Sequence, residues 1–177
     1  MKPLNKHIIL IGFKNVGKSA IGKNLARSLN KPFIDLDVQI KMHYEQLSGK
    51  KLNCRQIMEI TGETAFRQLE TEALQKVVLS EEPAVISLGG GTVSAEENQA
   101  LVKAHIVIHV TAPRGIVFER IMMGGRPAFF DINEDIIESF NRLFNQREKI
   151  YEKLHDIAIL NNGSIDMAVN NIMERLS

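Results

Sequence analysis

The chain has 177 residues, and its 22 Lys and Arg against 21 Asp and Glu leave a formal net charge of +1. This length fits a single domain over 1–177 with a substantial core, and the near-neutral charge argues against a nucleic-acid partner bound by broad phosphate neutralisation. One cysteine, Cys54, excludes an internal disulfide and fits a reducing, cytoplasmic environment. The first apolar run, Ile8–Ile11, is too short for a signal peptide or a membrane span, so we expect no membrane partner.

Short apolar runs alternate with helical patterns along the chain. The runs predicted as strands are 7–11, 33–37, 84–88, 105–110 and 157–160. Helical spacing of apolar residues predicts helices over 19–30, 38–47, 53–60, 63–79, 134–154 and 164–176, one that ends near 123, and one opened by a capping box of Ser94 and Glu97. Continuous apolar strands that alternate with helices are typical of a parallel sheet covered on both faces. The predicted fold is therefore α/β, with three α/β/α layers and a five-stranded parallel sheet.

A phosphate-binding motif follows the first predicted strand. Residues 12–19 read Gly-Phe-Lys-Asn-Val-Gly-Lys-Ser, which matches G-x4-G-K-[ST] between a strand and a helix. Its glycines let backbone N–H groups converge on phosphate oxygens, and the following helix N-terminus adds positive potential. In this motif the lysine reaches the β- and γ-phosphates and the hydroxyl residue is a ligand of Mg²⁺. We predict nucleotide binding by Gly12, Asn15, Val16, Gly17, Lys18, Ser19 and Ala20.

Missing motifs and the short chain exclude several classes of nucleotide-binding protein. A regulatory GTPase carries Asn-Lys-x-Asp, but the nearest segment, 30–33, reads Asn-Lys-Pro-Phe, and no Asp-x-x-Gly occurs in the sequence. The chain is also too short for a motor or an oligomeric ATPase module with its accessory domains. A small-molecule kinase is the class that fits one compact domain.

Two carboxylates lie at the end of the second predicted strand. Asp35 and Asp37 are two residues apart, so in a strand they would point to the same face. One could hold a water on Mg²⁺, and the other could accept a hydrogen bond from a substrate hydroxyl. The alternative is that both residues only cap the helix predicted to begin at position 38.

Two arginines lie among apolar residues of predicted helices. Arg147 falls on the inward stripe of the helix over 134–154, together with Phe144 and Tyr151. A buried guanidinium needs an anionic partner, which could be a ligand or a protein carboxylate. Arg67 follows Phe66 near the start of its helix and is equally compatible with a solvated or a functional role. Two inward arginines and an aspartate would suit a small substrate with a carboxylate and several hydroxyls.

Two glycine-bearing segments follow later predicted strands. Gly89, Gly90 and Gly91 come directly after the third strand and allow a ligand to approach the backbone closely, although a tight turn would also use them. Residues 124–133 form a polar loop that is typical of a lid, with glycines at the hinge. Its Arg126 could reach a transferring phosphate, or could be a mobile surface arginine.

Taken together, these segments resemble the shikimate kinase family, which has the nucleoside-monophosphate-kinase-like P-loop fold. The resemblance covers about residues 8–159. It depends on GFKNVGKS at 12–19, FIDLD at 33–37, GETAFRQLE at 62–70, SLGGG at 87–91, Arg126-Pro127, and Arg147 with Tyr151. It implies an ATP-dependent kinase that needs Mg²⁺ and transfers the γ-phosphate of ATP to the 3-hydroxyl of shikimate, within chorismate and aromatic amino-acid biosynthesis.

The resemblance also implies roles for individual residues. Asp37 would bind the hydroxyls of shikimate and orient the nucleophile, with capacity to act as its base. Arg67 and Arg147 would hold the shikimate carboxylate, and the segment 38–67 would cover the substrate. The other implied roles are a backbone donor at Gly90, flanked by Gly89 and Gly91, adenine contact by Arg120, closure over the phosphates by Arg126, and support of the Mg²⁺ shell by Asp35 beside Ser19.

The sequence departs from the family pattern at the acceptor side. The lid reads Arg126-Pro127-Ala128-Phe129 instead of Arg-Pro-Leu-Leu, and Lys149 stands where the family carries proline. Two alternatives therefore remain: a related kinase of another small hydroxy acid such as gluconate, or a nucleotide-binding module without transfer activity. For the shikimate kinase that the resemblance implies, we expect a monomer whose partners are the small molecules ATP and shikimate.

Overall fold

The computed structural model describes residues 5–125, 130 and 133–177. Five strands form one sheet in the order β2-β3-β1-β4-β5, and every neighbouring pair is parallel. The strands are β1 (Ile8–Ile11), β2 (Phe33–Asp35), β3 (Val85–Ser87), β4 (Ile106–Thr111) and β5 (Ile157–Leu160). Register places Ile8 between Val85 and Ile106, so β1 is the central strand. The predicted five-stranded parallel sheet is confirmed.

Helices cover both faces of the sheet. Within the described residues they are α1 (Lys18–Ser28), α2 (Leu36–Ser48), α3 (Cys54–Thr61), α4 (Glu63–Val78), α5 (Glu96–Lys103), α6 (Arg114–Met122), α7 (Ile136–Leu154) and α8 (Ile165–Leu176), with one 3₁₀ turn at Thr92–Ser94. The helix α1 packs against α8, whereas α5 and α7 contact each other and β4. The predicted three-layer α/β/α arrangement is therefore confirmed. Among the helices of the described residues, we find none with the length and hydrophobicity that a membrane span requires.

The core is centred on β1 and β4. All four residues of β1 are buried, and so are the first five residues of β4. Parallel strands with helices on both faces need apolar side chains in both directions, which is why these runs are continuous rather than alternating. By contrast, β5 lies at the sheet edge and alternates: Ile157 and Ile159 are buried while Leu160 is exposed. This core fixes the carboxyl ends of the strands at one edge, where ligands bind in such sheets.

The structure corrects the geometry predicted for the two aspartates. Strand β2 ends at Asp35, not at Asp37, and α2 begins at Leu36. Asp35 is the N-cap of α2, because its side chain accepts a hydrogen bond from the backbone N–H of Asp37 at 3.1 Å. Asp37 therefore lies in the first helical turn, and the argument that both residues share one face of a strand was wrong.

The capping box predicted at Ser94 and Glu97 was also wrong. Ser94 ends a 3₁₀ turn, and α5 begins at Glu96 with no side-chain cap from Ala95. The Glu97 carboxylate instead accepts from the Thr71 hydroxyl on α4 at 3.3 Å, so a contact between elements replaces the local motif. A capping box does open α3, where Asn53 and Gln56 exchange hydrogen bonds.

The predicted lid over 124–133 lies only partly within the described residues. Gly124 and Gly125 follow Met123, the C-cap of α6, and Phe130 packs against Phe140 of α7. Arg126 lies outside the described residues, as do 127–129, so its predicted position over the phosphates stays a prediction.

Candidate active site

The phosphate loop connects β1 to α1 with a backbone that only particular residues can adopt. Gly12 has φ +140°, and a Cβ there would lie 2.1 Å from the Val110 carbonyl oxygen on β4. Gly17 has φ +100° and precedes the first residue of α1. Asn15 also has a positive φ, 63°, which asparagine tolerates better than most residues. The loop is thus shaped so that the N-terminus of α1 faces the space where phosphates would bind.

Lys18 is folded back over this loop. Its ammonium group donates to the carbonyl oxygens of Gly12 at 2.9 Å and Phe13 at 2.7 Å. Burial lowers the pKa of Lys18 to about 8, although the negative charges of Asp37 and Asp35 act in the opposite direction. Phosphate oxygens are stronger acceptors than these carbonyls, so a phosphate bound at the loop could replace them as partners of the Lys18 ammonium group.

Ser19 and Asp35 form a pair beside the loop. The Ser19 hydroxyl donates to Asp35 Oδ2 at 2.8 Å and lies 3.3 Å from the Ser87 hydroxyl at the end of β3. Hydroxyl and carboxylate oxygens are the ligands that Mg²⁺ prefers, and the ion normally keeps several waters. The two residues therefore fit a magnesium site in which Ser19 binds directly and Asp35 binds directly or through water.

A buried carboxylate, Glu70, links the elements on the other side of the loop. It is 2% exposed, accepts from the Thr92 hydroxyl at 2.6 Å, and accepts from Arg67 Nη1 at 2.7 Å. The nearby Asp37 carboxyl has its pKa raised, first by burial and then by the charges of Asp35 and Glu70. A carboxylate with a raised pKa is a better proton acceptor, so Asp37 could take a proton from a hydroxyl bound beside it.

Arg147 reaches the same region from α7. It is 8% exposed, and its guanidinium lies 5.1 Å from the centre of the Phe13 ring in the phosphate loop. Burial lowers the pKa of Arg147, with a further contribution from the charge of Arg67. Two guanidinium groups close enough to repel each other define a position where a substrate anion would be stabilised.

The three consecutive glycines leave room for these side chains. A Cβ on Gly89 would lie 3.2 Å from Asp37 Oδ1, and one on Gly91 would lie 2.8 Å from Arg67 Nη2. A Cβ on Gly90 would lie 3.0 Å from the backbone nitrogen of Lys14 in the phosphate loop. Any side chain in this glycine loop (residues 89–91) would therefore displace Asp37, Arg67 or the phosphate loop.

Two adjoining spaces result from this arrangement. A cavity of about 310 Å³ is lined by Lys14, Asn15, Asp37, Cys54, Arg55, Met58, Phe66, Arg67, Glu70, Gly89, Gly90, Gly91, Ile121, Gly124, Gly125 and Arg147. A more open groove is lined by Asn15, Gly17, Lys18, Ser19, Ala20, Arg120 and Met123. Asn15 borders both spaces, so the groove and the cavity adjoin at the phosphate loop.

Most of the predicted residues converge on these two spaces. The groove contains the predicted nucleotide residues except Gly12 and Val16, whose backbone forms the loop itself, and Arg126, which lies outside the described residues. The cavity contains every residue predicted for the substrate. Arg120 is held beside the loop, because Asn15 Nδ2 donates to its carbonyl at 3.1 Å and its guanidinium donates to the Asn15 carbonyl at 3.4 Å.

Several residues of the site were missed in the sequence. Glu70 carried a signal, since a carboxylate on the buried stripe of a helix needs a partner. Asn161 carried no such signal in the sequence. It follows β5, and its side chain donates to the Val16 carbonyl at 2.8 Å across 145 positions.

Cys54 and Met58 lie on the short helix α3 and border the cavity, but their spacing had no chemical signature. Burial raises the pKa of the Cys54 thiol to about 12, so it stays protonated.

A parallel sheet with a phosphate loop, a hydroxyl–carboxylate pair beside that loop and an adjoining cavity lined by two arginines is typical of the class of P-loop small-molecule kinases. Comparison with known proteins identifies the branch of that class. The sequence model of shikimate kinase matches residues 14–177, so the chain belongs to the shikimate kinase family.

Individual relatives agree with this assignment. The chain is 34% identical to the shikimate kinase of Pelotomaculum thermopropionicum over 173 residues, which cover 97% of this chain and 95% of the relative. It is 36% identical to the shikimate kinase of Thermus thermophilus over 172 residues, covering 96% and 89%. The crystal structure of shikimate kinase from Aquifex aeolicus superposes with a TM-score of 0.77 at 34% identity, covering 96% and 95%. Family membership makes the chain an ATP-dependent kinase.

Proposed function

We propose that the chain transfers the γ-phosphate of ATP to the 3-hydroxyl of shikimate, giving shikimate 3-phosphate for chorismate and aromatic amino-acid biosynthesis. The observation that carries this proposal is the cavity where Asp37, Arg67 and Arg147 converge next to the phosphate loop. Shikimate is a small acid with one carboxylate and several hydroxyls, which matches two guanidinium groups and one carboxylate. Membership of the shikimate kinase family supports the choice of this acid over gluconate.

In the proposed acceptor complex, Arg67 and Arg147 bind the carboxylate of shikimate and fix its orientation. Asp37 then accepts a hydrogen bond from the 3-hydroxyl, and its raised pKa supports a role as general base. Gly90, between Gly89 and Gly91, adds a backbone donor at the wall of the cavity. Because the glycine loop directly contacts the phosphate loop, this orientation also sets the position of the hydroxyl relative to the γ-phosphate.

The proposed transfer is a single in-line displacement. The 3-hydroxyl oxygen forms a bond to the γ-phosphorus while the bond from that phosphorus to the β,γ-bridging oxygen breaks. The hydroxyl proton passes to Asp37, and ADP leaves with the electron pair of the broken bond. Lys18 gives up its contacts with the loop carbonyls and stabilises the charge on the β- and γ-phosphates.

The remaining nucleotide residues position ATP for this step. Ser19 would hold Mg²⁺ directly and Asp35 would hold it through water, and the ion would neutralise negative charge on the phosphates. The backbone amides of Gly12, Asn15, Val16, Gly17 and Ala20 cradle the phosphates, and Arg120 lies against the adenine. Arg126 closes over the transferring phosphate from the lid at 124–133.

We further propose that this activity belongs to a monomeric, cytoplasmic enzyme that forms one domain over 1–177. All the groups needed for both substrates other than Arg126 lie in one described chain, so no second subunit is needed to complete them. The net charge of +1 and the single cysteine support partners limited to small molecules in a reducing compartment. Sedimentation velocity at micromolar protein tests the oligomeric state: a single species near 20 kDa is expected from the chain mass of 19.9 kDa.

A coupled ADP-release assay tests the acceptor directly. The assay contains Mg·ATP and is run without acceptor, with millimolar shikimate, and with millimolar gluconate. We expect strong turnover with shikimate alone. Turnover with gluconate and not with shikimate would show that the acceptor is another hydroxy acid. ATP binding without turnover on either acid would indicate a nucleotide-binding module.

A further inference from the structure

Tyr151 is a buried hydroxyl next to the active site that none of the roles above includes. It lies on α7, one turn after Arg147, and is 1% exposed. Its hydroxyl donates to the Gly90 carbonyl oxygen at 2.5 Å, across 61 positions of sequence. Burial raises the pKa of Tyr151 well above its usual range, so the phenol keeps its proton and remains a donor at any working pH.

Gly90 lies between the phosphate loop and α7, so the hydrogen bond to its carbonyl is made where these two elements meet the glycine loop. On one side of Gly90 the phosphate loop is so close that a Cβ would lie 3.0 Å from the Lys14 nitrogen and 3.4 Å from the Phe13 carbonyl carbon. On the other side Tyr151 joins the glycine loop to α7, the helix that carries Arg147. The Tyr151 hydroxyl thus joins this wall of the cavity to the helix that carries Arg147.

The direction of the Gly90 carbonyl also determines where the neighbouring amide points. The peptide between Gly90 and Gly91 is trans, so the Gly91 N–H points opposite to the carbonyl that Tyr151 holds. Within the described part of the chain, neither the Gly90 nor the Gly91 N–H donates to a protein acceptor. Both glycines line the cavity, so these donors are open to an acceptor molecule.

We propose that Tyr151 is a positioning residue for the acceptor: by holding the Gly90 carbonyl, its hydroxyl fixes the glycine loop so that the backbone N–H groups face the bound acid. This inference rests on the proposed function, because it assumes a hydroxy acid in the cavity. Tyr151 does not touch the reacting atoms, and it acts through the peptide between Gly90 and Gly91. Its loss should therefore affect acceptor binding far more than nucleotide binding.

Tyr151→Phe tests this proposal, since it removes the hydroxyl and keeps the buried ring. We expect the KM for the acceptor to rise about tenfold, because a buried carbonyl loses its donor and the loop loses its fixed orientation. The KM for ATP should change less than twofold. Hydrogen exchange of the ligand-free protein gives a second readout, and exchange of peptides spanning 89–94 should become faster in the variant.

Ser139→Ala is the matched control. It removes another buried hydroxyl from α7, one that hydrogen-bonds to Glu134 rather than to the glycine loop. We expect it to lower the melting temperature without changing either KM. Equal increases in both KM values for Tyr151→Phe, or unchanged exchange over 89–94, would overturn the positioning role.

The two proposals fail in different ways. If the parent protein turns over another acid but not shikimate, the proposed acceptor is wrong, and the KM comparison for Tyr151→Phe is made with the acid that reacts. If no acid reacts, the hydrogen-exchange comparison still decides whether the hydroxyl fixes the loop.

Discussion

Arg67 and Glu70 form an ion pair of 2.7 Å at the wall of the acceptor cavity, and Glu70 is almost fully buried. This pair explains how a guanidinium at the edge of a helix is held in one orientation without a ligand. Glu70 is itself fixed by the Thr92 hydroxyl at 2.6 Å. The ion pair lies within α4, and the Thr92 hydrogen bond connects Glu70 to the 3₁₀ turn that follows the glycine loop.

Replacing Glu70 with glutamine should weaken acceptor binding and shift the pH profile. Glu70→Gln keeps the shape of the side chain but removes the charge that orients Arg67, so we expect the KM for shikimate to rise about tenfold. The Glu70 charge also helps to raise the pKa of Asp37. Without it that pKa falls, so the acidic limb of kcat/KM for shikimate should move to lower pH.

The control for this prediction is Glu63→Gln. Glu63 is the other carboxylate near Arg67, at 3.8 Å, and its side chain is 76% exposed. An exposed partner at this distance contributes little to the orientation of Arg67. We therefore expect the KM for shikimate to change less than twofold and the acidic limb of kcat/KM not to shift. A pH profile that moves equally in both variants would show that Glu70 has no specific effect on Asp37.

Replacing Arg147 with alanine should separate the two substrates. The guanidinium lines the acceptor cavity and not the nucleotide groove, so we expect Arg147→Ala to raise the KM for shikimate roughly 100-fold. The dissociation constant for ATP, measured by calorimetry, should stay within about twofold. Arg142→Ala on the same helix removes an exposed arginine that pairs with Glu134, and should change neither value. Equal weakening of both substrates by Arg147→Ala would make Arg147 a structural residue.

The parts of the site that could be predicted from sequence are those set by short, local spacing. The phosphate loop needs its glycines, Lys18 and Ser19 at fixed positions, because backbone geometry allows few alternatives. Arg147 was predicted to point inward because it lies on the apolar stripe of a long helix, and it is buried. Local spacing also predicted the layers and the strand count of the sheet.

The parts that could not be predicted depend on contacts between distant elements. The Asn161 side chain reaches the Val16 carbonyl, and the Tyr151 hydroxyl reaches Gly90, with no local pattern to announce either bond. The predicted capping box at Ser94 failed for the same reason, since the Glu97 carboxylate accepts from Thr71 on another helix. Hydrogen bonds between distant elements therefore explain why the contacts of Asn161 and Tyr151 could not be predicted. A bond of the same kind replaces the capping box predicted at the start of α5.

Lys18 should make ATP binding dependent on pH. Its pKa of about 8 in the ligand-free protein means that the charged form is lost as the pH rises past that value. Because only the charged form attracts phosphate strongly, we expect ATP affinity to fall progressively from about pH 8 to pH 10 in calorimetric titrations. The same lowered pKa disfavours the charged folded state, so this group makes the protein more stable as pH rises from about 8 towards 10.5.

Lys18→Arg provides the comparison for this pH effect. Arginine keeps its charge throughout the range, so any ATP binding that remains in the variant should show no loss above pH 8. The same fall in both proteins would assign the pH dependence to another group.

Asn15 should influence nucleotide binding through Arg120. Its amide donates to the Arg120 carbonyl, and the Arg120 guanidinium donates to the Asn15 carbonyl, so the phosphate loop is attached to the end of α6. Asn15→Gly keeps the positive φ accessible and removes only the side chain, so we expect the KM for ATP to rise about threefold while the KM for shikimate stays the same. Asn15→Ala should raise the KM for ATP further than Asn15→Gly does, because alanine at φ 63° is strained. In a double-mutant cycle, the losses from Asn15→Gly and Arg120→Ala should be nearly additive, because each variant keeps the backbone carbonyl that the other side chain contacts. An unchanged KM for ATP in Asn15→Gly would show that the bond to the Arg120 carbonyl does not support nucleotide binding.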